Sequence, residues 1–149
     1  MARYIARPEL AEAREHGFHN IGEASAATGV SAKMIRQYES VGIIPKPGRT
    51  FAGYRLYADA DLERLRFIRK SRLLGFPMTQ IEKLLTLMNT SDRTSAQVKQ
   101  LAQAHAADLE IRIGQMQSMH DTLSRLAKSC KGDLSPDCPI LDGLAREES

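Results

Sequence analysis

Apolar residues recur every three or four positions along most of the chain, and breaks in this spacing separate the predicted helices. The first informative stretch is residues 20–42, in which Asn20 and Ser31 are suitable helix N-caps and Thr28-Gly29 provides a tight turn. The helix that follows Ser31 has an apolar stripe formed by Met34, Ile35, Tyr38 and Val41. This order of short helix, glycine turn and second helix predicts a helix-turn-helix.

A stretch that cannot be a continuous helix follows directly. Residues 42–57 contain Pro45, Pro47, Gly48 and Gly53, and the β-prone segments RTF and YRLY flank Ala52-Gly53. The pattern predicts a small β-hairpin next to the helix-turn-helix, that is, a wing. We call residues 42–57 the wing segment.

Two more helices are predicted in residues 59–90. The first begins at Asp59 and ends near Gly75, and the second begins at Pro77 or Thr79 and stops at NTSD. The expected buried stripe of the first of them is formed by Leu62, Leu65, Ile68 and Leu73.

A single long helix is predicted over residues 94–129, which contain no proline and one glycine. At 1.5 Å per residue it would be about 50 Å long, too long to bury its own apolar stripe within so small a protein. The simplest partner is a second copy of the chain in a two-stranded coiled coil. The predicted stripe consists of Val98, Ala102, His105, Leu109, Ile113, Met116, Met119, Leu123 and Leu126.

Composition agrees with a mainly α fold and adds a charge asymmetry. Aromatic residues make up only 5% of the 149 residues. Residues 31–72 carry ten basic and four acidic side chains, whereas residues 73–149 are net acidic. A basic excess confined to the predicted helix-turn-helix and the helix after it indicates a polyanionic partner. No apolar run can span a membrane, and residues 1–18, a leader without a motif, lack the features of a signal peptide, so we expect a cytoplasmic protein.

The side chains expected to contact DNA come from the second helix of the helix-turn-helix and from the wing segment. Basic and amide groups can reach phosphates and base edges, and aromatic rings can pack on the sugar-phosphate backbone. A helical hairpin alone is weak evidence for DNA binding, because such hairpins are common. The predicted contacts are Ser31, Lys33, Arg36, Tyr38, Arg49, Tyr54 and Arg55.

The two cysteines of the chain, Cys130 and Cys138, lie near the C-terminus with seven residues between them. In a reducing compartment such a pair indicates a metal site or a redox site rather than a permanent disulfide. Two thiolates suit a soft monovalent ion, whereas Zn²⁺ prefers four ligands. No catalytic motif accompanies them, so we expect no enzyme activity.

The order of these elements, with the segment IRQYESVGIIPKP…GYRLY, resembles the MerR family of transcription regulators over residues 20 to about 142. The leader, residues 1–18, departs from that family. The resemblance implies a winged helix-turn-helix at residues 19–58, connecting helices at 59–90, and a homodimer with an antiparallel coiled coil. It also implies binding to a pseudo-palindromic promoter, where DNA distortion lets RNA polymerase use both promoter elements.

The C-terminal segment HDTLSRLAKSCKGDLSPDCPILDGL is similar to that of the family's copper-efflux regulators. The similarity implies a metal-binding loop and a short helix in residues 130–149, with Cys130 and Cys138 binding Cu(I), or Ag(I) and Au(I) as mimics. Family members that sense divalent ions have a cysteine where this chain has Ser95, and Lys99 corresponds to a lysine that neutralises the site. A regulator of a divalent metal, or of cysteine oxidation, remains the alternative.

Overall fold

A computed structural model describes residues 9–146, which form two compact units that divide between Thr94 and Ser95. The fold is mainly α, as predicted. None of the described helices is long and apolar enough to cross a membrane. In chain order the elements are α1 (Leu10–Glu15), α2 (Ile21–Thr28), α3 (Ala32–Ser40), β1 (Gly48–Arg49), β2 (Arg55–Leu56), α4 (Asp59–Leu73), α5 (Met78–Met88), α6 (Ser95–Ser129) and α7 (Pro139–Ala145).

The helix-turn-helix forms for the reasons that the sequence indicated. The Asn20 side chain accepts a hydrogen bond from the Glu23 amide (2.8 Å), and the Glu23 carboxylate accepts one from the Asn20 amide (3.1 Å). This reciprocal capping box starts α2. Gly29 ends the helix in the left-handed region, at φ +73°. A side chain there would be strained and would also crowd the Arg69 guanidinium.

One apolar core joins α2, α3, the wing segment, α4 and α5. Ile35 and Tyr38 of α3 pack with residues of α4 and α5, and the wing segment contributes Ile44 and Tyr57. Tyr57 also pairs with His19 through two backbone hydrogen bonds of 2.8 Å, which attach the residue after the leader to the base of the wing. The described part of the leader is therefore ordered: it contains α1, and Ala13 is buried. Residues 1–8 lie outside the described part of the chain.

Two residues that were predicted to be buried, Val41 and Leu73, are exposed. Val41 is more than half exposed, because α3 ends at Ser40 and Val41 is its C-cap. Leu73 is 71% exposed. It lies five residues after Ile68, about 140° around the helix, whereas Ser71, three residues after Ile68, occupies the buried position.

The second unit consists of α6 and α7. Helix α6 has 35 residues and is therefore about 52 Å long. Helix α7 packs back on the end of α6 so closely that a Cβ atom added at Gly143 would lie 2.6 Å from a methyl group of Leu126. Most of the predicted stripe on α6, including Ile113, Met116 and Leu123, is exposed in the single chain.

Candidate DNA-binding surface and metal-binding loop

Helix α3 presents the predicted recognition side chains. Ser31 caps the helix, its hydroxyl accepting a hydrogen bond from the Met34 amide (3.2 Å). Because Ile35 and Tyr38 are held in the core, the opposite side of α3 faces outward, and Lys33 and Arg36 are exposed there. Two of the predicted contacts therefore share one accessible face of a fixed helix.

Tyr38 differs from the other predicted contacts because its side chain is only 4% exposed. Its hydroxyl accepts a hydrogen bond from the Arg72 guanidinium of α4 (2.9 Å). Burial restricts the predicted DNA contact of Tyr38 to this hydroxyl and leaves the ring as a core element. Arg69 and Arg72 line the same surface cavity as Ser31, so α4 adds two cations next to α3. Sequence reasoning assigned them no role; the basic excess of α4 was the only available signal.

The wing is a short hairpin whose turn is fixed by several hydrogen bonds. Strands β1 and β2 pair antiparallel, with Gly48 opposite Leu56 and Arg49 opposite Arg55. The Thr50 amide donates to the Tyr54 carbonyl (2.8 Å), and the Gly53 amide donates to the Thr50 carbonyl (3.0 Å). The exposed Arg49 donates to the Gly53 carbonyl across the turn (3.1 Å), and Tyr54 is also exposed. The hairpin is confirmed, with strands of two residues each.

Arg55 connects the wing to α3. Its Nε donates to the Glu39 carboxylate at 2.9 Å, and the side chain of Glu39 is only 10% exposed. A guanidinium has four further N–H groups, so this ion pair leaves Arg55 able to reach a phosphate. Burial next to the Glu39 charge also raises the pKa of Tyr57 to about 12. The Arg55–Glu39 ion pair ties the wing to α3 and so fixes the angle between the wing and the recognition helix, a role that the sequence did not reveal.

The two cysteines lie at the ends of the loop between α6 and α7. The Cys130 amide still bonds to the Ala127 carbonyl at the end of α6 (3.2 Å), and Cys138 immediately precedes Pro139, the first residue of α7. Inside the loop, the Asp133 carboxylate accepts from the Ser135 amide (3.0 Å) and the Ser135 hydroxyl accepts from the Asp137 amide (3.3 Å). Both thiols are half-buried and are not joined in a disulfide.

The donor set of this loop fits a soft ion. Across residues 9–146 there is no cluster of three or more His, Cys, Asp or Glu side chains able to hold a metal. The carboxylates of Asp133 and Asp137, although they lie in the loop, do not join the two thiols in such a cluster. Two thiolates are sufficient for a soft monovalent cation, whereas divalent ions need more ligands.

Ser95 and Lys99 lie far from the cysteines of their own chain. Ser95 is the first residue of α6 and Cys130 follows its last residue, so the length of the helix, about 52 Å, separates them. Lys99 is one turn after Ser95, and both are exposed. If these residues act at a metal site, that site belongs to another copy of the chain.

Comparison with known proteins identifies the family. The family description "MerR HTH family regulatory protein" matches residues 19–88, and "MerR, DNA binding" matches residues 62–126. The regulator HmrR of Sinorhizobium medicae is 50% identical over 127 residues, which are 85% of this chain and 86% of that protein. The chain belongs to the MerR family. Proteins of this family are DNA-binding transcription regulators, so the chain is a regulator and not an enzyme.

The chain is also similar to the regulator CueR and to a lead(II)-bound regulator of known structure. The regulator CueR of Salmonella typhimurium is 40% identical over 126 residues, covering 85% of this chain and 91% of that protein. Among solved structures, PbrR691 of Ralstonia metallidurans in complex with lead(II) superposes with a TM-score of 0.73 at 31% identity, covering 85% of this chain and 99% of PbrR691. Family members bind promoter DNA as dimers.

Proposed function

We propose that this MerR family protein is a metal-responsive activator whose effector is Cu(I), with Ag(I) and Au(I) as mimics. The observation that carries the proposal is the pair of free, half-buried thiols at the two ends of the α6–α7 loop. Cys130 and Cys138 would hold the ion as thiolates. Cys138 is adjacent to α7, so a change at the thiols can act directly on the packing of α7 against α6.

The relatives support a metal effector more strongly than they support copper. One relative from Rhizobium meliloti, 49% identical, is named a heavy metal-dependent transcription regulator, and others carry the names HmrR and CueR. PbrR691 binds lead(II). The choice of Cu(I) therefore rests on this chain's own donor set: two thiols, and Ser95 where a further cysteine would favour a divalent ion.

A homodimer completes the proposed regulator. The exposed apolar stripe of α6 needs a partner, and an antiparallel coiled coil would bring Ser95 and Lys99 of one subunit toward the thiol loop of the other. Lys99 would then offset the net negative charge of two thiolates and one monovalent ion. Ser95, with a hydroxyl that is a poor ligand for soft metals, would exclude a third metal bond.

In the cytoplasm, the dimer would bind a pseudo-palindromic promoter with one winged helix-turn-helix on each half-site. Lys33 and Arg36 would reach into the major groove, and Arg49, Tyr54 and Arg55 would contact the sugar-phosphate backbone. The effector-bound dimer would distort the DNA so that RNA polymerase can use both promoter elements, and the energy of the response would lie in DNA deformation. Copper-efflux and copper-tolerance genes are the proposed targets.

An anaerobic Cu(I) titration of the purified protein, combined with X-ray absorption of the bound ion, tests the effector. We expect one ion per subunit in a first shell of two sulfur atoms, and weak binding in a parallel Zn²⁺ titration. A first shell of three or more ligands, or tight Zn²⁺ binding, would replace Cu(I) by a divalent metal. Absence of Cu(I) binding, together with reversible loss of promoter activation on oxidation of the thiols, would make the cysteine pair a redox sensor.

A further inference from the structure

Phe51 is, together with Leu73, the most exposed large apolar residue among the described residues of the first unit. The ring is 71% exposed and lies in the turn at the tip of the wing. Nothing in the core requires an aromatic residue at this position. Exposure of one apolar residue needs no explanation by itself. The structure of the turn and the charges around it make this one informative.

The turn holds Phe51 in a defined outward position. Thr50, the residue before it, is fully buried, and its hydroxyl accepts a hydrogen bond from the Tyr54 amide (3.1 Å). The Gly53 amide closes the turn on the Thr50 carbonyl, and Gly53 adopts φ +91°, which a glycine tolerates without strain. Phe51 and Ala52 are therefore the two residues that a tightly bonded turn leaves outermost.

The chemistry around the ring favours a polyanion. The wing segment contains Lys46, Arg49 and Arg55 and no acidic residue. Lys46 and Arg49 are exposed in the same wing segment that carries the ring. A partner that matches both features must combine negative charge with apolar surface that a ring can cover. The minor-groove side of DNA has both, because phosphates line the groove and deoxyribose and base edges form its walls and floor.

We propose that Phe51 is a DNA-positioning residue whose ring packs on deoxyribose and base edges in the minor groove next to each half-site. This inference rests on the proposed function, since it requires the wing to lie on promoter DNA. The ring contributes to affinity by burying apolar surface, and this contribution changes little with salt concentration. The cationic contacts of Lys33, Arg36 and Arg49 become weaker as the salt concentration rises. The ring therefore contributes to affinity in a way that can be separated from the cationic contacts.

Salt dependence of promoter binding separates the two kinds of contact. The protein is compared with its Phe51→Ala and Phe51→Leu variants on one promoter fragment, over a range of salt concentrations. Phe51→Ala should weaken binding by about tenfold at every salt concentration with an unchanged salt slope, and Phe51→Leu should recover most of the loss. The matched electrostatic control, Lys33→Ala, should lower the slope by about one.

Hydroxyl-radical cleavage of the same fragment locates the contact, because the radical attacks deoxyribose from the minor groove. We expect protection beside each half-site with the wild type and loss of that protection, and of no other, with Phe51→Ala. Equal affinity and equal protection for both proteins would overturn the inference. Unchanged DNA binding with weaker transcription at saturating protein would also overturn it and place the ring on RNA polymerase. Failure of the wild type to bind any promoter fragment would instead reject the proposed function.

Discussion

At the residue scale, the Arg55–Glu39 ion pair shows how one side chain can serve both the fold and the function. The nearly buried Glu39 carboxylate needs the guanidinium at 2.9 Å, while the remaining N–H groups of Arg55 can bind a phosphate. We predict that Arg55→Ala lowers the free energy of unfolding by about 1–2 kcal/mol, because it leaves a buried carboxylate without its partner. It should also weaken promoter binding and reduce the salt slope by about one.

A second variant separates these two effects. Adding Glu39→Gln to Arg55→Ala removes the unpaired charge, so chemical denaturation should show most of the lost stability restored. Promoter affinity and the salt slope should remain low, since the phosphate contact is still absent. Full recovery of DNA binding in the double variant would mean that Arg55→Ala weakens binding only through the unpaired Glu39 charge, and the phosphate contact of Arg55 would have to be abandoned.

At the element scale, the sequence predicts helices well where their ends are marked. Helix α6 spans Ser95–Ser129, within one residue of the range predicted from the absence of proline, and α4 begins at Asp59 as predicted. The C-terminal end of α4 shows where such prediction fails. The spacing of apolar residues predicted a buried Leu73, whereas the buried residue is the small polar Ser71. The Arg55–Glu39 and Arg72–Tyr38 contacts join residues 16 and 34 positions apart, and no local pattern specifies such pairs.

The packing of α7 on α6 is another feature that the sequence did not reveal, and it can be tested at Gly143. A methyl group there would press on the terminal methyl groups of Leu126, a partly exposed side chain that must then move. Gly114 of α6 has no neighbouring atom within 4 Å of the added group and provides a matched control. Both substitutions gain helix propensity, so we predict that Gly114→Ala raises the free energy of unfolding by up to about 1 kcal/mol. Gly143→Ala should raise it by clearly less, because the Leu126 side chain must be displaced.

Thermal and chemical unfolding of the two glycine variants measure this difference directly. Because α7 begins one residue after Cys138, displacing α7 should also displace that thiol, so Gly143→Ala should bind Cu(I) more weakly than Gly114→Ala. Equal stability gains from both substitutions would show that α7 is not packed tightly against Leu126.

At the scale of the whole molecule, the apolar stripe of α6 predicts dimerisation. Leu123 is more than half exposed in the single chain and lies on the same stripe as Ile113 and Met116. A glutamate at position 123 would bury two unpaired carboxylates in a coiled coil, so Leu123→Glu should shift the protein toward monomer in sedimentation experiments. Promoter affinity should fall at least about tenfold, because the two half-sites would no longer be bound by one linked dimer.

Ser118→Glu is the matched control for charge. Ser118 is exposed and lies about 140° around the helix from Leu123, away from the stripe. This variant should remain dimeric and should bind the promoter like the wild type. A Leu123→Glu protein that still sediments as a dimer would place the dimer contact elsewhere on the chain.

The proposed coupling between effector and promoter joins two sites that lie in different units of the chain. The predicted DNA contacts all lie in residues 9–94, whereas both thiols lie in residues 95–146. A serine at position 130 or 138 therefore changes no predicted DNA contact, but it replaces a soft ligand by a hydroxyl that binds Cu(I) poorly. We predict that Cys130→Ser and Cys138→Ser each abolish activation of transcription by copper, because only an effector that binds one dimer conformation better than the other can shift their equilibrium. Promoter affinity should stay within about twofold of the wild type.

Gel-shift affinity and transcription in vitro, measured on the same protein preparations, check both halves of this prediction. Ser135→Ala serves as the control within the loop, since it removes the hydrogen bond to the Asp137 amide but keeps both thiols, and it should retain the copper response. Loss of promoter binding together with activation in both cysteine variants would show that the loop is needed to build the dimer. Retained activation in either single variant would mean that one thiol is sufficient, and the two-thiolate site would have to be abandoned.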